Sequence, residues 1–179
     1  MSASLPASVD AERMVAGRRS FEGVLPVAEL PRLVEALADG RGEIRYRLDF
    51  GPGELGGPQL HVCLAAGLML ECQRTLQPFE WPAEVDTRLG LLASEDEAAA
   101  LPSDCEPLLL EGGALSPARV IEDELLLALP LVPISPGSNA LQGDWNAPGH
   151  DPQEAGRDEA VTHPFADLRD MLEARGKDR

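Results

Sequence analysis

Basic residues are scarce in this 179-residue chain, and only one of them, Lys177, is a lysine. Fifteen cationic residues face 31 acidic ones, which gives a formal net charge of −16. Proteins that bind the phosphate backbone generally present a basic surface, so the total charge argues against a general nucleic-acid footprint. Any contact with nucleic acid must therefore be local and depend on a few arginines.

Long apolar segments are also missing. The first thirty residues carry charges throughout and lack the apolar core of a secretory signal. The longest uncharged stretch, residues 125–143, contains three prolines and cannot form the ~20-residue apolar helix that crosses a membrane. The three cysteines are an odd number without the spacing of a disulfide framework, which indicates free thiols in a reducing compartment. These absences predict a cytoplasmic protein with no membrane contact.

The acidic residues are concentrated in the second part of the chain. Residues 1–75 contain 8 cationic and 10 acidic residues, for a net charge of −2, whereas residues 76–179 contain 7 and 21, for −14. Such polarity suits a protein that binds a cationic partner through its C-terminal part. A solvated, soluble surface is the simpler interpretation, and the charge pattern leaves both open.

Three segments alternate between apolar and polar residues, a pattern typical of half-buried strands in an antiparallel sheet. They are residues 43–50, 59–72 and 79–91, with weaker candidates at 20–25 and 108–110. The link 73–78 is short enough for a hairpin connection. Length and a hydrophobic content of 44% are those of one globular domain. We therefore predict an α+β fold: an antiparallel sheet of four or five strands, helices on one face, and a flexible C-terminal tail.

Helix signals flank the predicted sheet. Asp10 can cap a helix over the residues that follow it, because its carboxylate accepts amide protons of the first turn. Residues 28–38 indicate a second helix. The strongest signal is Ser116 at the N-cap position with Pro117 in the first turn, for a helix that ends before Pro130.

The C-terminal residues differ in composition from the rest. Residues 134–162 are rich in Pro, Gly, Asn and Asp, which predicts a flexible acidic segment. Residues 163–179 indicate a short amphipathic helix that could dock on its own domain or on a partner. The predicted organisation is a single domain over residues 1–133, followed by these two segments.

Catalytic signals are weak. His61 and Cys63 share the polar face of a predicted strand, so a nucleophile and base are conceivable, but no orienting acid is indicated. The glycine-rich residues 51–58 contain two prolines and no lysine, which favours a loop over a phosphate-binding motif. We predict no catalytic residues, no cofactor, no metal and no small-molecule substrate.

The third predicted helix contains the acidic residues Glu122, Asp123 and Glu124. Helical spacing puts Glu124 among the apolar positions, where a carboxylate is costly without a partner. We expect an ion pair between Glu124 and an arginine such as Arg45 or Arg74, with a partner-binding carboxylate as the alternative. Glu122 and Asp123 are predicted to be solvated.

Several motifs carry a resemblance to a known family. These motifs are Arg18–Gly23, Leu70–Arg74 with Pro78-Phe79, Ala100–Pro102 with Glu106-Pro107, Val120–Pro133 and His163–Leu168. In this order they cover nearly the whole chain, and together they resemble the YceD family of large ribosomal RNA subunit accumulation proteins. The motif positions to which we assign structural roles are Cys72, Phe79, Pro130, Pro133, Pro164 and Phe165.

The sequence departs from the family pattern in its cysteines. The family commonly has a second cysteine where Thr75 stands, and here no cysteine follows Val132-Pro133. Some members look able to bind zinc through such residues, but a four-ligand site at Cys72 lacks its ligands here. Cys72 is predicted to be a buried thiol at the end of a strand.

The resemblance implies a cytoplasmic, non-enzymatic factor that supports accumulation of 23S ribosomal RNA and assembly of the large ribosomal subunit. Its implied partner is precursor 23S RNA or a large-subunit assembly intermediate, with a basic ribosomal protein as a further candidate. Local arginines would contact RNA, and the acidic part would hold a basic protein. The candidate binding residues are Arg13, Arg18, Arg19, Arg45, Arg47, Arg74, Glu122, Asp123 and Glu124. Two alternatives remain: an acidic escort of a basic ribosomal protein without RNA contact, and an enzyme that uses His61 and Cys63.

Overall fold

The computed structural model describes residues 5–54 and 56–138. The described residues form seven strands and three α-helices, with short 3-10 turns at Val27–Glu29 and Glu95–Ala100. The strands are β1 (Val9–Asp10), β2 (Ser20–Pro26), β3 (Glu43–Pro52), β4 (Pro58–Glu71), β5 (Pro78–Leu92), β6 (Glu106–Leu109) and β7 (Ala114–Leu115). The helices are α1 (Ala11–Ala16), α2 (Pro31–Ala36) and α3 (Pro117–Ala128).

Five strands form one sheet in the order β2–β3–β4–β5–β6. The first four are joined antiparallel in chain order, so the predicted link at residues 73–78 does connect a hairpin. At the edge, β6 runs parallel to β5, which its long connection through the second 3-10 turn allows. The predicted α+β class is confirmed. The parallel edge strand and the separate pair of β1 with β7 were not predicted.

Alternation along the strands separates the sheet into two faces. In β3, Ile44, Tyr46, Leu48 and Phe50 are buried, whereas Arg45 and Arg47 between them are exposed. The final residues of β5 are buried on both faces of the sheet. The chain that follows folds back over the face that is exposed elsewhere in the strand. Leu101 packs so closely that a Cβ atom added at Gly90 would lie 2.4 Å from its Cδ2 atom, so a larger residue there would force the Leu101 side chain to move.

The helices cover the apolar face of the sheet. Leu33 of α2 and Ile121 and Leu125 of α3 are fully buried in the same core as the β3 and β4 side chains. Each such side chain stabilises the fold by roughly 1.5–3 kcal/mol relative to exposure. The opposite side of β2–β5, called the open face below, carries charged residues such as Arg45 and Asp86.

The helix boundaries follow local chemistry. Asp10 caps α1 as predicted, since its Oδ1 atom accepts the Arg13 N–H at 2.9 Å. The second helix is shorter than the predicted 28–38, because a residue that precedes a proline disfavours helical dihedrals and α2 therefore begins at Pro31. The third helix begins at Pro117 after Ser116 as predicted, although the Ser116 hydroxyl makes no capping bond.

The segment that follows α3 returns to the β4–β5 turn. The Gln73 N–H donates to the Pro133 carbonyl at 2.9 Å, and the Ser135 N–H donates to the Cys72 Sγ atom at 3.3 Å. The flexible segment predicted to end at residue 162 lies, from residue 139, outside the described residues. The C-terminal helix predicted at 163–179, with Pro164 and Phe165, lies wholly outside them.

Candidate functional site

Three arginines lie where α1 passes into β2. Arg18 has a positive φ of 43°, and the Arg19 N–H donates to the Met14 carbonyl at 3.0 Å, so the chain reverses sharply between helix and strand. Arg13 and Arg19 border a shallow depression of about 620 Å³ that Phe21 also lines. We call Arg13, Arg18 and Arg19 the N-terminal arginine surface.

The side chains of the N-terminal arginine surface are exposed to solvent and form no salt bridges within the described residues. Within residues 5–54 and 56–138, none of its three guanidinium groups forms a salt bridge, whereas Arg32, Arg41, Arg47 and Arg88 do. Guanidinium groups in this state can donate charge-assisted hydrogen bonds to phosphate oxygens. The half-buried Phe21 ring beside them packs edge-on against Phe50, with 6.1 Å between the ring centroids.

The arginines of β3 lie in a different environment. Arg47 is bound to Asp49, with 2.8 Å between Nε and Oδ2, and its cross-strand neighbour in β2 is Glu22. Arg45 lines a depression on the open face together with three glutamates, Glu43, Glu80 and Glu84. The structure therefore separates the predicted arginines into an unpaired group beside α1 and a group among carboxylates on the sheet.

Arg74 and Cys72 fix the β4–β5 turn to the segment after α3. The Arg74 guanidinium donates to the Ser138 carbonyl, and the Ser138 hydroxyl lies 3.9 Å from the Cys72 Sγ atom. Cys72 is fully buried, as predicted. Hydrogen bonds from Ser135, together with weaker ones from Thr75, lower the pKa of the Cys72 thiol to about 5.

Glu122 joins α3 to α2. Its Oε1 atom accepts the N–H groups of Arg32 at 2.7 Å and Leu33 at 3.2 Å, and its Oε2 atom accepts the Arg32 Nε–H at 2.9 Å. Since α2 lacks a capping side chain of its own, Glu122 supplies the acceptor that its first turn needs. Asp123 contacts the same guanidinium from the solvent side. We call Arg32, Glu122 and Asp123 the α2–α3 clip.

The prediction that Glu122 is solvated was wrong, since it is 4% exposed. Burial opposes ionisation of its carboxyl group, but the hydrogen bonds from Arg32 and Leu33 outweigh burial and hold the pKa of Glu122 below its usual value. The expectation failed because α3 packs against both the sheet and α2, so its buried surface is wider than one apolar stripe.

Glu124 is buried as predicted, but the expected arginine partner was wrong. Arg45 lies on the open face and Arg74 donates to Ser138, and neither forms a salt bridge with Glu124. Burial raises the pKa of Glu124, and the negative charges of Glu106 and Asp123 add to this effect, while a hydrogen bond with Thr87 opposes it. The carboxyl group is therefore biased towards its neutral form.

The pair His61 and Cys63 does acquire an acid, Asp86 from β5. The Asp86 Oδ1 atom lies 2.7 Å from the His61 Nε2 atom, and the Cys63 Sγ atom lies 3.5 Å from that same nitrogen. Burial raises the pKa of the Cys63 thiol, as do the charges of Asp86 and Asp49, so the thiolate is disfavoured. A relay would need the acid and the nucleophile on opposite ring nitrogens, and this geometry does not provide it.

Sequence reasoning missed both Asp86 and Arg32. Asp86 lies opposite Cys63 because the β4–β5 hairpin pairs Glu71 with Pro78 next to its turn. If that register had been predicted, it would have placed Asp86 beside Cys63. The turn lacks a diagnostic dipeptide, and the register could not be fixed without one. Arg32 is 90 residues from Glu122, and no local pattern connects them.

These features describe an α+β protein with three exposed arginines beside α1 that form no salt bridge within the described residues, and with two buried carboxyl groups on α3. No helix in the described part of the chain is long and apolar enough to cross a membrane.

Comparison with known proteins identifies the family. A profile of the family described as large ribosomal RNA subunit accumulation protein YceD matches residues 60–172. The large ribosomal RNA subunit accumulation protein YceD of Haemophilus influenzae is 31% identical over 135 residues, which are 73% of this chain and 75% of that protein. No solved structure gives a significant match. The chain belongs to the YceD family, and the family's name implies a role in accumulation of the large-subunit ribosomal RNA.

Proposed function

We propose that this protein is a cytoplasmic, non-enzymatic binding or scaffold factor that supports accumulation of 23S ribosomal RNA and assembly of the large ribosomal subunit. Membership of the YceD family is the observation that carries the proposal. Its partner in this proposal is precursor 23S RNA or an assembly intermediate that contains it.

The contact with RNA is assigned to the N-terminal arginine surface. Support comes from the absence of salt bridges at Arg13, Arg18 and Arg19 within the described residues, because a guanidinium without a carboxylate partner keeps its donors for phosphate. A second support is Phe21, which lines the same depression, since unpaired RNA bases stack on aromatic rings.

In this proposal Arg45 and Arg47, on the open face, contribute less to RNA binding. Asp49 holds Arg47, and three glutamates share the depression beside Arg45. RNA phosphate approaching that region would meet more carboxylates than guanidinium groups. Arg74 acts mainly on the β4–β5 turn, through the Ser138 carbonyl.

The decisive test is a double charge reversal, Arg18→Glu with Arg19→Glu, assayed for binding to large-subunit precursor particles. Loss of two phosphate contacts should weaken binding and reduce the slope of log K against log salt by about 1–2. The matched control is Arg41→Glu with Arg119→Glu, which changes the net charge equally at two exposed positions elsewhere.

Equal binding by the double variant and the wild type would overturn the RNA contact. Equal weakening by the control pair would mean that total charge, rather than this surface, governs binding. Circular dichroism of both variants checks that the fold is kept.

The second candidate is an acidic escort that holds a basic ribosomal protein without touching RNA. One observation favours it: the 3-10 turn Glu95–Ala100 presents Glu95, Asp96 and Glu97, all exposed, in the anionic part of the chain. Pull-downs before and after ribonuclease treatment separate the two functions. An escort keeps its protein partner when RNA is digested, whereas the RNA-binding factor loses particle components that it holds through RNA.

A further inference from the structure

Three side chains with metal-binding atoms converge on the open face of the sheet. They are His61 and Cys63 of β4 and Asp86 of β5. Their nearest ligand atoms all lie within 4.8 Å of one another. We propose that they form a binding site for a divalent transition-metal ion, with Zn²⁺ as the best chemical match.

The sheet itself builds this arrangement. His61 and Cys63 are two residues apart and so project from the same face of β4. Cys63 lies directly opposite Asp86 in the β4–β5 register, which brings the carboxylate alongside both residues. Because both strands are long and paired with each other from Gln59↔Gly90 to Glu71↔Pro78, the three Cα positions are held by backbone hydrogen bonds rather than by a loop.

The separations suit tetrahedral coordination. Metal–ligand distances of about 2.0–2.1 Å for nitrogen and oxygen and about 2.3 Å for sulfur place tetrahedral ligand atoms roughly 3.3–3.6 Å apart. The Cys63 Sγ atom is 3.5 Å from His61 Nε2 and 4.0 Å from Asp86 Oδ2. The His61 to Asp86 contact, 2.7 Å, is that of a hydrogen bond, and it has to open by about 0.6 Å to admit the ion.

The direction of the three groups distinguishes a metal site from a catalytic triad. Both the thiol and the carboxylate approach the same ring nitrogen, His61 Nε2. Three donors that point at one position match the requirement of a cation, which accepts all of them at once. Imidazole, thiolate and carboxylate together favour Zn²⁺ or Co²⁺ over Mg²⁺ and Ca²⁺, which prefer oxygen ligands alone.

The neighbouring charges leave the site open to a cation. Arg47 lies opposite Cys63 and Arg88 lies opposite His61, but each is paired with another acid: Arg47 with Asp49 at 2.8 Å, and Arg88 with Asp104 at 2.7 Å. Each of these pairs is neutral overall. The His61 side chain is 35% exposed and that of Asp86 is 77% exposed, so an ion can enter from solvent and keep water as its fourth ligand.

Cobalt titration of the full-length, reduced protein tests the site. We expect one Co²⁺ per chain, with visible bands of tetrahedral cobalt and a near-ultraviolet band from the sulfur–cobalt bond, and Zn²⁺ should displace the cobalt. Cys63→Ser should abolish the sulfur band. His61→Gln and Asp86→Asn should each weaken cobalt binding at least about tenfold. Loss of a residue that only supports a metal ligand already weakens binding by about this factor, and these two residues are ligands themselves.

Matched controls separate this site from other donors in the chain. Cys72→Ser and Cys105→Ser should leave the sulfur band intact, and so should the double change His150→Gln with His163→Gln. Absence of stoichiometric cobalt binding by the wild type would overturn the proposal, as would a sulfur band that survives Cys63→Ser or disappears with Cys72→Ser. Asp86→Asn alters an exposed side chain, so it stays informative even if a β4 variant fails to fold.

Discussion

Glu122 and Glu124 stand two residues apart on α3, and both are buried, yet the protein drives their protonation in opposite directions. Glu122 meets two backbone N–H groups and a guanidinium from α2, so its pKa is lowered. Glu124 is buried against the sheet beside Glu106 and has one favourable hydrogen bond, with Thr87, so its pKa is raised. The comparison teaches that burial alone does not decide the charge of a carboxyl group, because the number of donors that reach it does.

The largest change in stability is expected from removing Glu122, the carboxyl group with more hydrogen-bond donors. Glu122→Ala removes the acceptor for two N–H groups of α2, of which that of Leu33 is buried, and it removes the ion pair with Arg32, so the free energy of unfolding should fall by about 2–4 kcal/mol. Urea unfolding followed by circular dichroism measures the change. Glu35→Ala, an exposed acid on α2, is the control, and it should lie within about 0.5 kcal/mol of the wild type. Similar losses in both variants would contradict the capping role of Glu122.

A smaller effect of opposite sign is expected at Glu124. Glu124→Gln keeps the shape and removes the disfavoured ionisation, so at pH 7 the variant should be more stable than the wild type by about 1 kcal/mol. The raised pKa means that the wild type loses stability as pH rises from the unfolded value near 4.5 through the folded pKa. The advantage of the variant should therefore vanish below pH 4.5. A constant advantage at all pH values would exclude ionisation as its cause.

The pH profile of Glu122→Gln should run the other way. Because the folded pKa of Glu122 is lowered, its contribution is complete above the unfolded value near 4.5 and is lost as pH falls through the folded pKa. The difference in free energy of unfolding between wild type and Glu122→Gln should therefore become smaller as the pH falls below about 4.5. Unfolding curves at pH 7 and at several acidic pH values, measured on both glutamine variants, compare the two carboxylates directly.

The smallest effect is expected at the solvent side of the clip. The Asp123 side chain is 46% exposed and that of Arg32 is 49% exposed, so water and salt screen their interaction. Asp123→Asn should cost less than about 0.5 kcal/mol at low salt, and the difference should disappear in 1 M salt. A loss as large as that of Glu122→Ala would mean that charge, rather than capping of α2, holds the clip together.

The sequence predicted the parts of the fold that follow from local periodicity. Strict alternation identified β3, β4 and β5, and the Ser116-Pro117 pair located the start of α3. Alternation cannot report which strand lies at the edge or its direction, so the parallel β6 was not anticipated.

The candidate sites depended on long-range pairing and were predicted less well. Glu124 was correctly identified as buried, because helical spacing places it among apolar residues, but its arginine partner and the exposure of Glu122 were both wrong. Each error concerns the packing of α3 against a segment far away in the chain. The roles of the predicted arginines in binding remain predictions that the charge reversals above address.

The α2–α3 clip also sets the order of events during synthesis. Arg32 and Glu122 are separated by 90 residues, and a bacterial or eukaryotic ribosome adds roughly 5–20 residues per second, so α2 waits about 5–18 s for the carboxylate that caps it. The strands β3, β4 and β5 are synthesised between them and can pair with β2 and with one another during that interval. Truncated chains that end before α3 should therefore hold a sheet whose apolar face is covered only by α1 and α2, and the uncovered part is a surface for chaperone binding or aggregation.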